Sequence, residues 1–147
     1  AVTGVAEAAP LSVIGSFSAT SSAEPLNLGG FVPLPILASP AKNTKWDMGS
    51  LSLAKTPGGT NVDLTVVRLG AGDGLYTWTL VAPGPQSELK LPNLAKLAPD
   101  AALPVGSLVI ETTLAHIDDF NYGMLRYRQL AKRGWNAYAT DTFLAQH

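Results

Sequence analysis

His116, Asp118 and Asp119 stand almost side by side, and they are the residues best suited by type to chemistry. An imidazole beside carboxylates, joined by a serine, would describe a hydrolytic triad. A serine nucleophile also needs a strained turn that presents its hydroxyl, and no Gly-x-Ser-x-Gly elbow occurs anywhere in the chain. A transition metal would need three or four ligands in a fixed shell, and the other histidine is the distant His147. Calcium is the better metal candidate, with Asp118, Asp119 and loop carbonyls as oxygen donors, although their spacing matches no established calcium loop. The expectation is no catalytic residues, no cofactor and no hydrolase activity.

A second cluster follows directly. Tyr122, Arg126, Tyr127, Arg128, Trp135 and Tyr138, with Lys132 and Arg133, interleave rings with cations. Such a set can stack on sugar rings or bases, and it is the first place to look for a ligand. The same residues can instead lay their apolar bodies on a core and keep their charged tips in water. Formal net charge is −1, so no wider basic field favours nucleic acid. Gly70–Gly74 holds one carboxylate, Asp73, and lacks the Lys and Ser/Thr of a phosphate loop; it reads as a turn.

The elements that must position these residues are strands. Val62, Leu64 and Val66 alternate with Asn61, Asp63 and Thr65; Tyr76, Trp78 and Leu80 alternate with Thr77 and Thr79. Leu89 and Leu91 repeat the pattern, and Leu108, Ile110 and Leu114 share one phase with Thr112 and His116. Successive side chains of a strand point to opposite faces, so this describes strands with one buried side. Gly/Pro-rich breaks separate them, which predicts an all-β, antiparallel two-sheet sandwich. Strands are expected near Leu11–Phe17, Phe31–Leu37, Asn61–Leu69, Leu75–Ala82, Gln86–Leu91, Ser107–Ile117 and Trp135–Leu144. Pro33, Pro35 and Pro40 confine the second of these to an edge. Trp46 and Met48 take one phase and Leu51 and Leu53 the other, with Gly49 as a possible switch.

Pro92–Pro104 reads as a crossing loop with a helical turn at Leu94–Leu97. The stretch near 119–133 reads as one short helix or an irregular excursion, with Phe120, Met124, Tyr127 and Ala131 on one side and Asp118 or Asp119 as cap. The predicted core is Trp46, Leu51, Leu53, Val62, Leu64, Val66, Tyr76, Trp78, Leu80, Leu89, Leu91, Leu108, Ile110 and Leu114.

The chain has 147 residues, 14% of them charged against about 25% in ordinary soluble domains. It contains no cysteine, which removes disulfides and thiolate chemistry. No apolar run approaches the roughly 20 residues of a membrane span. Residues 1–41 carry only Glu7 and Glu24 as charges, so residues 1–30 are expected to be an arm or a first strand and 31–147 the sandwich.

Several segments resemble fibronectin type III-like or immunoglobulin-like modules of bacterial exported proteins. Leu37-Ala38-Ser39-Pro40-Ala41 is similar to the Ser-Pro opening of such modules, and Leu75-Tyr76-Thr77-Trp78-Thr79-Leu80 to their central aromatic strand. Ser87 through Leu91-Pro92-Asn93-Leu94 resembles the strand entering the crossing, and Thr140-Asp141-Thr142-Phe143-Leu144 the closing strand. Ser107 or Leu108 stands where many members carry a corner tyrosine. The resemblance implies a non-catalytic extracellular or cell-surface module for adhesion, spacing or assembly. Its partner would be another protein or a second copy, with carbohydrate as the alternative and neither nucleic acid nor membrane insertion expected.

Overall fold

The structure is a computed structural model that describes residues 9–15, 29–54, 58–71, 74–132 and 135–147. Eight strands form: β1 (Leu11–Ile14), β2 (Ile36–Ser39), β3 (Ser50–Ala54), β4 (Leu64–Ala71), β5 (Tyr76–Pro83), β6 (Glu88–Lys90), β7 (Ser107–His116) and β8 (Ala137–Gln146). They make two antiparallel sheets, one in the order β1-β8-β7-β4-β5 and one in the order β2-β3-β6. The all-β sandwich expected from alternation is therefore the fold. A helical turn, α1, spans Leu94–Leu97 as expected. Among the described residues no helix is long and apolar enough to cross a membrane.

The main core lies between the sheets. Trp46, Leu51 and Leu53 from the smaller side meet Val67, Leu69, Leu108, Ile110, Leu114 and the small residues Ala137, Ala139 and Ala145 of the larger sheet. Val62, Trp78, Leu80, Leu89 and Leu91 pack at its margin. Three expected features differ. Tyr76 is 44% exposed, because it sits where β5 emerges beyond the smaller sheet. Leu64 and Val66 are buried, but on the opposite face of β4, together with Ala115 and Leu130. Strand β4 also runs straight through Gly70 and Ala71, where a turn was expected. Gly70 lies between Thr77 on one neighbouring strand and Val109 on the other, so its place inside the sheet overrides its turn preference.

The flanks show smaller shifts. Only Ile36–Ser39 of the proline-bearing stretch pairs, at the edge of the smaller sheet, because Pro33 and Pro35 cannot donate. The switch of phase before β3 uses Met48 at φ 61 together with an Asp47 carboxylate that accepts the Gly49 N–H at 2.9 Å. Phe17, Thr56, Pro57, Gly72 and Asp73, which entered the expected first strand and turns, lie outside the described residues.

Thr112 is fully buried on the core face of β7, and its hydroxyl has no hydrogen-bond partner among the described residues. A buried unpaired hydroxyl carries a desolvation penalty that an isosteric methyl avoids. Thr112→Val is therefore expected to raise the free energy of unfolding by about 1 kcal/mol in urea denaturation. A loss of stability would mean that the hydroxyl has a partner the fold conceals.

Candidate functional site

His116 ends β7 and is held at the rim of the core, in the phase the sequence indicated. Its Nδ1 lies 2.6 Å from an Asp63 carboxylate oxygen, which also accepts the Ile117 N–H at 3.0 Å. A carboxylate oxygen bonded this way only accepts, so Nδ1 is the donor. The other ring nitrogen, Nε2, lies 3.3 Å from Asp118. Asp118 in turn receives the Asn136 side-chain N–H at 2.6 Å, while Asn136 Oδ1 accepts the Asp118 backbone N–H at 2.8 Å. Asn136 further joins β7 and β1, donating its N–H to the His116 carbonyl and accepting the Gly15 N–H.

This arrangement ties together the starts or ends of β1, β4, β7 and β8. A triad would aim the second imidazole nitrogen at a hydroxyl nucleophile, whereas here it faces a second carboxylate. The geometry is that of a clamp. Asp63, 53 positions from His116, and Asn136 were not anticipated from the sequence. In the sequence Asp63 alternates with Val62 and Leu64 alongside Asn61 and Thr65, and no local spacing links it to His116.

For calcium, Asp118 is occupied by His116 and Asn136, and Asp119 takes φ 54 in the turn beyond. Among the described residues no group of three or more His, Asp or Glu side chains could hold a metal ion. Asp63→Ala would leave the imidazole and the Ile117 N–H without an acceptor. It is expected to lower unfolding free energy by about 2 kcal/mol, read by chemical denaturation. No change would show that water satisfies these donors equally well.

The aromatic and basic stretch forms a cap on the outer face of the larger sheet. It is irregular rather than one helix: a 3₁₀ turn at Tyr122–Met124 is followed by a short helix, α2 (Tyr127–Lys132). The cap of the turn is Asn121, whose side chain accepts the Gly123 N–H, and not Asp118 or Asp119. Asp118 is committed to the clamp, and Asn121 occupies the cap position directly before the turn. Ile117, Phe120, Leu125, Leu130, Trp135 and Tyr138 pack over Leu64, Val66 and Ala115. Met124 and Tyr127, expected on the packed side, are instead 74% and 76% exposed, because Leu125 and Leu130 supply the contact.

The candidate ligand residues are thus divided by the fold. Trp135 and Tyr138 meet edge to face at 71° and 5.6 Å, Tyr122 donates its hydroxyl to the Val81 carbonyl at 2.9 Å, and Tyr127, Arg126 and Arg128 project outward. Arg133 lies outside the described residues. A small cavity of about 40 Å³ separates Tyr127, Leu130 and Trp135 from Arg68, Thr79, Glu111 and Thr113. Arg68 and Glu111 pair across β4 and β7 at 3.7 Å in a half-exposed setting, where such a pair stabilises little.

A larger opening of about 480 Å³ lies at one end of the sandwich, bordered by Pro33, Pro35, Leu53, Val62, Gln86 and Leu114. Among the described residues its lining contains no titratable side chain.

The remaining feature is an edge. One side of the larger sheet is covered by the chain itself: β1 pairs along Ala137–Thr140 of β8, and residues 43–46 bond to Leu144 and Gln146. The opposite side ends in β5, eight residues long and without a charged side chain. Comparison with known protein families, with curated proteins and with solved structures finds no match to this chain.

Proposed function

We propose that this chain is a non-catalytic β-sandwich module of the fibronectin type III-like kind, from an exported bacterial protein, working at the cell surface or outside the cell in assembly, adhesion or spacing. The observation that supports assembly best is the outer edge of β5, with which no strand pairs among the described residues. Edge strands ordinarily carry lysines, bulges or prolines, or are kept short, because their open N–H and C=O groups template pairing with another chain. The other edges follow that rule. β1 has four residues, β6 has three and carries Glu88 and Lys90, and β2 is preceded by prolines. Strand β5 has Pro83 only at its far end, and Leu75 just before it is 85% exposed.

The low charge content and the absence of cysteine support an exported module whose stability rests on its core. Saccharide binding is the less supported alternative. Stacking on sugar rings needs exposed, roughly parallel aromatic faces, and of the four candidate rings only Tyr127 stands well clear of the cap. Sedimentation velocity over a wide concentration range tests the assembly reading. A monomer–dimer equilibrium is expected, and a strictly monomeric chain at the highest concentrations would overturn it.

A further inference from the structure

Resting on that reading, we infer that β5 pairs with β5 of a second copy, antiparallel about a two-fold axis that passes through Thr77. The argument begins with the direction of the backbone groups. Gly106 and His147 exchange two N–H···O=C bonds of 2.9 and 2.8 Å, which sets the phase of the β7–β8 ladder. In an antiparallel ladder, bonded pairs alternate with unbonded ones, and a residue's N–H and C=O point to the same side. Carrying that alternation through the pairs Val109↔Gly70 and Leu69↔Trp78 leaves Trp78 and Leu80 bonded to β4, with Thr77, Thr79 and Val81 directed away from the sheet. The Tyr122 hydroxyl donates to the Val81 carbonyl at 2.9 Å, as a carbonyl directed away from β4 allows.

The outer groups of β5 are not equally open. The Val81 carbonyl is already taken by Tyr122, and Pro83 has no N–H to give. Two-fold registers centred on Trp78 or Thr79 would place Val81 against the partner's Leu75 or Thr77 and would have to displace Tyr122. The register centred on Thr77 uses neither Val81 nor Pro83. It sets Thr77 opposite the partner's Thr77 and Thr79 opposite the partner's Leu75. It also sets Tyr76 opposite the partner's Trp78.

That register covers the large apolar residues that the monomer leaves exposed on this edge, Leu75 at 85% and Tyr76 at 44%. Tyr76 and Trp78 project to the same face, so each copy supplies one ring to each of two cross-strand aromatic pairs, a favourable combination on a sheet. No charged side chain of β5 enters the contact. The interface is isologous, as a closed dimer requires, and the two larger sheets become one continuous sheet.

The chain contains no cysteine, so a single introduced thiol reports the register directly. Thr77→Cys is expected to give a disulfide-linked dimer under mild oxidation, since paired strand positions lie within disulfide reach. Thr79→Cys is expected to stay largely monomeric, because its counterpart is Leu75. Thr77→Pro removes an outward N–H that β4 does not use, and should weaken dimerisation at least ten-fold while the melting transition stays cooperative. Efficient crosslinking at Thr79→Cys instead, or a dimer unaffected by Thr77→Pro, would overturn this register and leave the assembly reading standing. A parent chain that never dimerises would overturn both. If Thr77→Pro unfolds the chain, the crosslinking pair still decides the register.

Discussion

Leu64→Ala is expected to lower the free energy of unfolding by about 2–5 kcal/mol, and Leu69→Ala by a similar amount. Both leucines are fully buried on β4, yet they belong to different cores. Leu69 faces the smaller sheet. Leu64 faces outward from the sandwich, beneath the cap to which Ile117, Phe120, Leu125, Leu130 and Trp135 contribute. In a sandwich of two bare sheets an outward position would tolerate truncation within about 0.5 kcal/mol. Paired urea titrations of the two variants would therefore measure how firmly the cap is seated. A negligible effect at Leu64 alone would mean that the cap does not exclude water from that face.

Trp78→Ala is expected to cost about 3 kcal/mol, toward the lower end of the range for a buried tryptophan because the ring lies at the margin of the core. Two effects combine. The ring covers the side of the main core beside the crossing loop, and its Nε1–H donates to the Ala101 carbonyl at 2.9 Å. That bond fastens residues 99–101, a 3₁₀ turn, against β5. Trp78→Phe separates the two contributions: it keeps most of the apolar contact and loses the hydrogen bond, so about 1 kcal/mol should disappear. A loss below roughly 1 kcal/mol for the alanine variant would place the ring in solvent.

The two substitutions bear on how far the pattern of residues can be read. Alternation located six of the strands to within a few positions and assigned Leu51, Leu53, Leu108, Ile110 and Leu114 to the core between the sheets. It also placed His116 at a rim, hydrogen-bonded. Leu64 and Val66 are buried as expected, but beneath the cap and not between the sheets, because β4 is buried on both faces over Leu64–Val67. Period two then gives no means of choosing which face meets the other sheet. Tyr76 was misjudged. Its phase is correct, but the smaller sheet has only three strands and does not extend over that corner.

Strand identity, side-chain phase, turn positions and the shortage of charge are local properties, carried by the order of residues because sterics and solvation act over a few neighbours. The functional candidates are not local. Asp63 reaches His116 only once β4 and β7 are paired, so the clamp exists nowhere in the linear order. The aromatic stretch forms a cap because the outer face of β4 offers it Leu64 and Val66 to cover. Among the described residues β5 ends the larger sheet, while β1 and residues 43–46 cover the opposite side. Each of these depends on contacts between segments far apart in sequence, and such contacts are selected by the packing of whole sheets.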